Sequence, residues 1–184
     1  LRNFFWVTGF AAAILASGLS GCDNSAIEYL PRLPQVNIPQ NKSQTPELSP
    51  QSANTAKIEE GIRQSINQVR QKEGLKLLES DRKLAGVARN YSRYMAEQNF
   101  FSHTGIDGST PSQRVEAAGI IYWVVGENLF RGTNVPQPVE IAVKGWLESP
   151  GHRENILRPF YTETGVGVWR VKNTYYITQL FLRR

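Results

Sequence analysis

His103 and His152 are the only histidines in this chain of 184 residues. His103 stands in Phe100-Phe101-Ser102-His103-Thr104-Gly105, just past a helical stretch, and His152 in Ser149-Pro150-Gly151-His152-Arg153, at a helix-breaking turn. Between them, Gly126-Glu127-Asn128-Leu129 follows an apolar strand and places a carboxylate at its end. Imidazole nitrogens and a carboxylate are the donors that Zn²⁺ or a similar ion accepts, and three such ligands leave one position for water. His103 and His152 are therefore candidate metal ligands, and Glu127 is the candidate general base of a metal-dependent hydrolase. Without metal the same trio is an acid–base pair or a hydrogen-bonded polar cluster. The two histidines lie 49 positions apart, far from a compact metal motif, so their spacing leaves these readings open. Ser149 has no adjacent base with its own orienting group, so the sequence gives no support to it as a nucleophile. Asn128 and Asn155 read as local turn and backbone caps.

The elements that must position these residues follow from periodicity. Ile58, Ile62, Ile66 and Val69 have helical spacing, with Glu59 and Glu60 expected in the first turn and Gly74 as the stop. Leu84, Val87, Ala88, Tyr91 and Met95 form a second stripe behind a cap-like Ser80. Thr110-Pro111-Ser112-Gln113 is a capping box with proline at the first helical position, and Gly119 closes that short helix. A further helix is expected over 139–147, with Val139, Ala142, Val143 and Trp146 inward. Strands are expected over 120–125, 165–171 and 174–181, the last two pairing antiparallel across a turn at Lys172-Asn173. Helices first, then strands interleaved with helix, predict an α+β fold with helices covering a central sheet. Phosphate-loop, Rossmann and nucleophile-elbow patterns are absent.

Charge and cysteine content narrow the class further. The net charge is +5, and residues 1–54 are balanced, with Arg2, Arg32 and Lys42 against Asp23, Glu28 and Glu47. The excess is scattered over 55–184 without a run of like charges, which excludes the dense basic footprint of a nucleic-acid binder. The single Cys22 permits no intrachain disulfide and no cysteine-based zinc site. An apolar stretch over residues 4–19 precedes it, shorter than the ~20 residues of a bilayer span but suited to a signal-peptide core. Residues 23–54 contain five of the ten prolines, are rich in Gln, Asn, Ser and Thr, and read as a tether.

Two resemblances sharpen this reading. Leu19-Ser20-Gly21-Cys22 resembles the lipobox of bacterial lipoproteins, which implies a signal peptide over 1–21, lipidation of Cys22, a tether through residue 54, and a membrane-anchored extracytoplasmic protein of the bacterial cell envelope. Phe101-Ser102-His103, Gly126-Glu127-Asn128-Leu129, the run from Trp146 through Ser149-Pro150-Gly151-His152-Arg153-Glu154-Asn155-Ile156-Leu157, and Gly165-Val166-Gly167-Val168 together resemble a CAP (SCP/PR-1-like) domain of the bacterial branch over 55–184. The resemblance implies an α-β-α sandwich with a central, mainly antiparallel sheet. It also implies a cavity ringed by two histidines, here His103 and His152, and by glutamates, of which Glu127 matches the first. Ser149 falls where the second glutamate is expected, and Glu148 sits one residue early. Some family members bind zinc in this cavity and some bind lipids elsewhere, while proteolysis has been proposed for a few. The function expected is a cell-envelope binding or interaction module, partnered with the membrane through Cys22 and with an unknown envelope ligand or protein. A metal-dependent protease or cell-wall hydrolase is the alternative, and a purely structural cluster the third.

Overall fold

A computed structural model describes residues 48–184. The expected signal peptide, Cys22 and most of the tether lie outside the described residues. Among the described residues, no helix is long and apolar enough to cross a membrane.

Helix α1 (Ala53–Lys72) opens with a capping box in which Ser52 and Thr55 exchange backbone and side-chain hydrogen bonds. The helix therefore begins more than a turn earlier than its acidic residues suggest, and Glu59 and Glu60 are not in the first turn. Glu59 is instead buried, accepting from the Arg89 guanidinium at 2.8 Å and from the Val168 amide at 3.1 Å. Ile58, Ile62 and Ile66 form the buried stripe, the last two completely shielded from solvent. Full burial of such a side chain contributes roughly 1.5–3 kcal/mol. Gly74, at φ +69°, takes the left-handed conformation just beyond the helix end.

The short strand β1 (Glu79–Ser80) leads into α2 (Arg82–Glu97). Asp81, not Ser80, caps α2, its carboxylate accepting from the Leu84 amide at 2.9 Å, while Ser80 is engaged in strand pairing. Helix α3 (Pro111–Ala117) has the expected capping box at Thr110 and Gln113, proline in its first turn and Gly119 at φ +68° after it. Strand β2 (Val124–Thr133) starts later than the apolar run predicts. Residues 120–123 approach it as an irregular segment, with Ile121 86% and Trp123 83% exposed. Ile120 is buried with α2 and α3, whereas Ile121 and Trp123 stay exposed. Helices α4 (Pro138–Glu148) and α5 (Pro150–Leu157) follow, then β3 (Glu163–Val171) and β4 (Thr174–Arg183) joined by the expected turn, with Lys172 at φ +53°.

The sheet has the order β1-β3-β4-β2. β1 pairs parallel with β3, and the other neighbours pair antiparallel. Period-two alternation sends Val166 and Val168 of β3 into a cluster with α1, α4 and α5. On the other face Gly165 and Gly167 meet α2, where an added Cβ would fall 2.3 Å from the Ala85 nitrogen and 2.1 Å from the Arg89 nitrogen. Two glycines thus let α2 lie directly on the strand. Helices α2 and α3 cover this face, packing on Leu180 and Leu182 of β4. The result is the α-β-α sandwich of the expected α+β class, and it leaves β2 as an edge strand.

Candidate functional site: a two-histidine cluster at the edge of the sheet

Along β2, side chains alternate between the two helical layers. Val125 and Leu129 pack with α2, whereas Val124 and Phe130 pack with the α1–α4–α5 layer. Glu127 falls on the α2 side and Asn128 on the α5 side. Glu127 therefore lies inside the strand, not at its end. Its carbonyl accepts from Asn155 at 3.2 Å and that of Leu129 from the Trp146 indole at 2.8 Å. Side chains of α4 and α5 thereby satisfy the backbone edge of β2.

His103 arrives on the connection between α2 and α3. Its Nδ1 lies 2.8 Å from Glu127 Oε1. A carboxylate only accepts, so the imidazole donates through Nδ1, and Nε2 takes no part in this bond. Glu127 Oε2 accepts from Arg114 at 2.8 Å, and the same guanidinium donates to the carbonyls of Ser109 at 2.8 Å and His103 at 3.2 Å. Arg114 also stacks with its Cζ 3.4 Å above the Tyr91 ring. The Tyr91 hydroxyl donates to the Ser102 carbonyl at 2.5 Å. Burial pushes the Tyr91 pKa up to about 12, with Arg114 opposing and Glu127 assisting, so the phenol remains a donor. Side-chain exposure falls steeply through this network, from 53% at His103 to 11% at Arg114 and 2% at Glu127.

His152 arrives in the first turn of α5. The expected helix-breaking turn is the start of a second short helix, with Pro150 at its opening position, where a missing N–H costs nothing. The His152 ring is half-buried and lies 6.4 Å from His103 between centroids, tilted by 44°. Burial, and secondarily the neighbouring His103, lowers its pKa from the ordinary 6.5. The His152 carbonyl accepts from Asn128 at 3.2 Å, and Asn155 donates to Asn128 at 3.0 Å. The two asparagines are thus long-range ties between strand and helix, not local caps.

Of the expected cavity residues, His103, Glu127 and His152 come together. Ser149 forms the joint between α4 and α5, where its carbonyl accepts from the Arg153 amide at 2.8 Å and its hydroxyl makes no capping bond. Glu148 is no substitute for a missing glutamate, because its side chain is 67% exposed and lies 3.9 Å from Lys144. Arg114 is the functional residue that sequence reasoning missed. Its charge is ordinary in a helix, and only the tertiary contact with a buried glutamate distinguishes it.

The donor set bears directly on metal binding. Among the described residues, no group of three or more His, Cys, Asp and Glu side chains is arranged to hold an ion. His103 and His152 supply two imidazoles, while Glu127 is engaged by Arg114 and stands behind His103, where its carboxylate fixes the ring's orientation. Two imidazoles with ring centroids 6.4 Å apart fall one protein ligand short of the usual catalytic zinc centre.

Residues 64–181 match the model of the cysteine-rich secretory protein family, CAP. Two Bacillus subtilis proteins are similar over 126 residues: the uncharacterized protein YkwD at 37% identity, covering 68% of this chain and 47% of that protein, and the uncharacterized membrane protein YlbC at 39%, covering 68% and 34%. The chain thus spans about half the length of the first and a third of the second. An outer surface protein from Borrelia burgdorferi superposes with a TM-score of 0.65 at 27% identity, over 71% of this chain and 95% of that one. An extracellular SCP-domain protein from Bacillus anthracis gives 0.59 at 32% identity, over 74% and 45%. Although the matched residues contain no cysteine, the chain belongs to the cysteine-rich secretory protein (CAP) family.

Proposed function

We propose that this CAP protein is a binding module of the bacterial cell envelope, lipid-anchored through Cys22, carried on a proline-rich tether and facing the extracytoplasmic side. The two-histidine cavity is its binding site, with an envelope ligand or protein as partner. The observation that carries this reading is the commitment of Glu127. A general base needs a free carboxylate oxygen facing the attacking water, whereas Glu127 is 2% exposed, with one oxygen on Arg114 and the other on His103. This favours binding over hydrolysis. A divalent ion held by His103 and His152 would be a weak, exchangeable ligand, and it would supply a positive charge for an anionic partner group. The chain's own contribution is to hold the two rings 6.4 Å apart between centroids.

Two measurements on the full chain test the proposal. Cys22→Ser should release the protein from the membrane fraction, and retention of the variant there would remove the anchor. A calorimetric Zn²⁺ titration should show one-to-one binding lost in both His103→Ala and His152→Ala. Binding that survives either substitution would place the ion elsewhere. Turnover of a peptide or cell-wall substrate abolished by Glu127→Gln, in a variant that stays folded, would restore the hydrolase.

A further inference from the structure

The two histidines belong to different layers of the sandwich, yet both are referenced to two consecutive residues of β2. The Glu127 side chain holds the His103 ring at 2.8 Å. The Glu127 carbonyl and the Asn128 side chain hold α5, through Asn155 at 3.2 Å and the His152 carbonyl at 3.2 Å. Asn155 closes the loop by donating to Asn128 at 3.0 Å. We propose that Asn128 and Asn155 are positioning residues that set the distance between His103 and His152, so that any ligand bridging both rings depends on this clamp. The inference rests on the two-histidine reading of the cavity and adds the device that makes the two rings one site.

Three further observations support it. Asn128 is completely buried, in the middle of an edge strand, where an amide without partners would be costly. Its hydrogen bonds run to α5 and not to its own turn. Gly126 provides the space: a Cβ there would fall 3.0 Å from Asn155 Oδ1 and 2.4 Å from the Tyr161 hydroxyl. The glycine lets the Asn155 side chain lie against the strand backbone. The far end of α5 is fixed separately, since Arg70 donates to the carbonyls of Ile156 at 2.7 Å and Arg158 at 2.9 Å. Loss of the clamp therefore frees the first turn of α5, which carries His152, while the last turn stays tied down.

The test uses the full chain with Asn128→Ala, Asn155→Ala and Gly126→Ala, the last leaving both asparagines in place. In metal-free protein, nuclear Overhauser contacts between the two imidazoles should disappear in all three variants. The bond from His103 Nδ1 to Glu127, read from the imidazole nitrogen chemical shifts, should persist. With Zn²⁺ as probe, affinity should fall about 10- to 100-fold, the usual effect of removing a group that orients a ligand. Contacts between the rings and Zn²⁺ affinity both unchanged in Asn155→Ala would overturn the proposal. Should Asn128→Ala fail to fold, Asn155→Ala carries the same test from a half-buried helical position. If the unmodified chain binds no Zn²⁺, the metal reading fails by itself, and the ring-to-ring contacts still decide the clamp.

Discussion

His103 and His152 face one another from supports of opposite kinds. His103 sits on a connection without regular structure, yet its ring is specified: Glu127 fixes Nδ1, Arg114 fixes its carbonyl, and Tyr91 fixes the carbonyl before it. His152 sits in a helix whose backbone is tied at both ends, yet among the described residues no hydrogen bond is made to its ring. One arm of the cavity holds its imidazole through a buried charge network, and the other through the docking of a helix. The two arms should therefore fail differently, the first through unbalanced charge and the second through bare carbonyls.

The charge arm should be the more fragile. Arg114→Ala leaves the buried Glu127 carboxylate with only the half-exposed His103 as partner, and it removes the stack on Tyr91. Breaking a buried pair from one side costs about 3–5 kcal/mol, read as a shift of the urea midpoint. Arg114→Lys should recover only part of this, because an ammonium cannot serve Glu127, Ser109 and His103 with one planar fork. Equal midpoints for Arg114→Ala and the unmodified chain would show that the network contributes nothing to folding.

On the helix arm, Arg70 is completely buried and makes no ion pair among the described residues. Burial pulls its pKa down, and its guanidinium donates to the carbonyls of Lys76, Ile156, Arg158 and Tyr161. Arg70→Met removes the buried cation together with its donors, so the desolvation recovered offsets part of the loss. Four carbonyls lose their donor, and with the recovered desolvation set against them the expected net cost is about 2–3 kcal/mol, smaller than for Arg114→Ala. The reverse order in urea unfolding would break the comparison, making helix docking the more fragile arm.

This asymmetry also explains what was legible in the sequence. The capping box at Thr110, the stripes of α1, α2 and α4 and the β3–β4 hairpin are local patterns, and each has its signal within a few residues. The Phe-Ser-His, Gly-Glu-Asn-Leu and His-Arg-Glu-Asn strings marked His103, Glu127 and His152 through resemblance. Helix α5 was invisible because it spans only eight residues, opens with Pro-Gly and has one buried apolar position, Ile156. Arg114, Arg70 and the asparagine clamp were invisible for a different reason. Ser109 and Lys76 apart, their partners lie 11 to 91 positions away, and no periodicity encodes a hydrogen bond across layers.

Acid should act on the helix arm first. The His152 pKa is depressed in the fold, so between that value and the unfolded value near 6.5 the unfolded chain binds a proton that the folded chain does not. Stability then rises with pH through this window and falls as pH drops below about 6.5. In the presence of chelator, the urea midpoint of the unmodified chain should decline from pH 7.5 to 5 more steeply than that of His152→Gln. Parallel declines would assign the acid sensitivity to other groups.

His103→Ala should be the mildest change to the fold and among the most severe for binding. The ring is 53% exposed, and its removal leaves Glu127 Oε2 on Arg114 while opening Oε1 toward solvent. Water admitted through the gap can replace the lost donor, so the expected cost is about 1 kcal/mol, the net worth of one hydrogen bond. Half of the imidazole pair is gone, however, and Zn²⁺ binding should vanish with it. Arg114→Ala is the inverse case: it keeps both imidazoles and strikes the support beneath one of them. If the two variants lost stability and Zn²⁺ affinity in the same proportion, orientation and ligation could not be separated at His103. A large binding loss with a small midpoint shift in His103→Ala, against a large midpoint shift in Arg114→Ala, would show that the buried network holds a ring that the fold itself hardly needs.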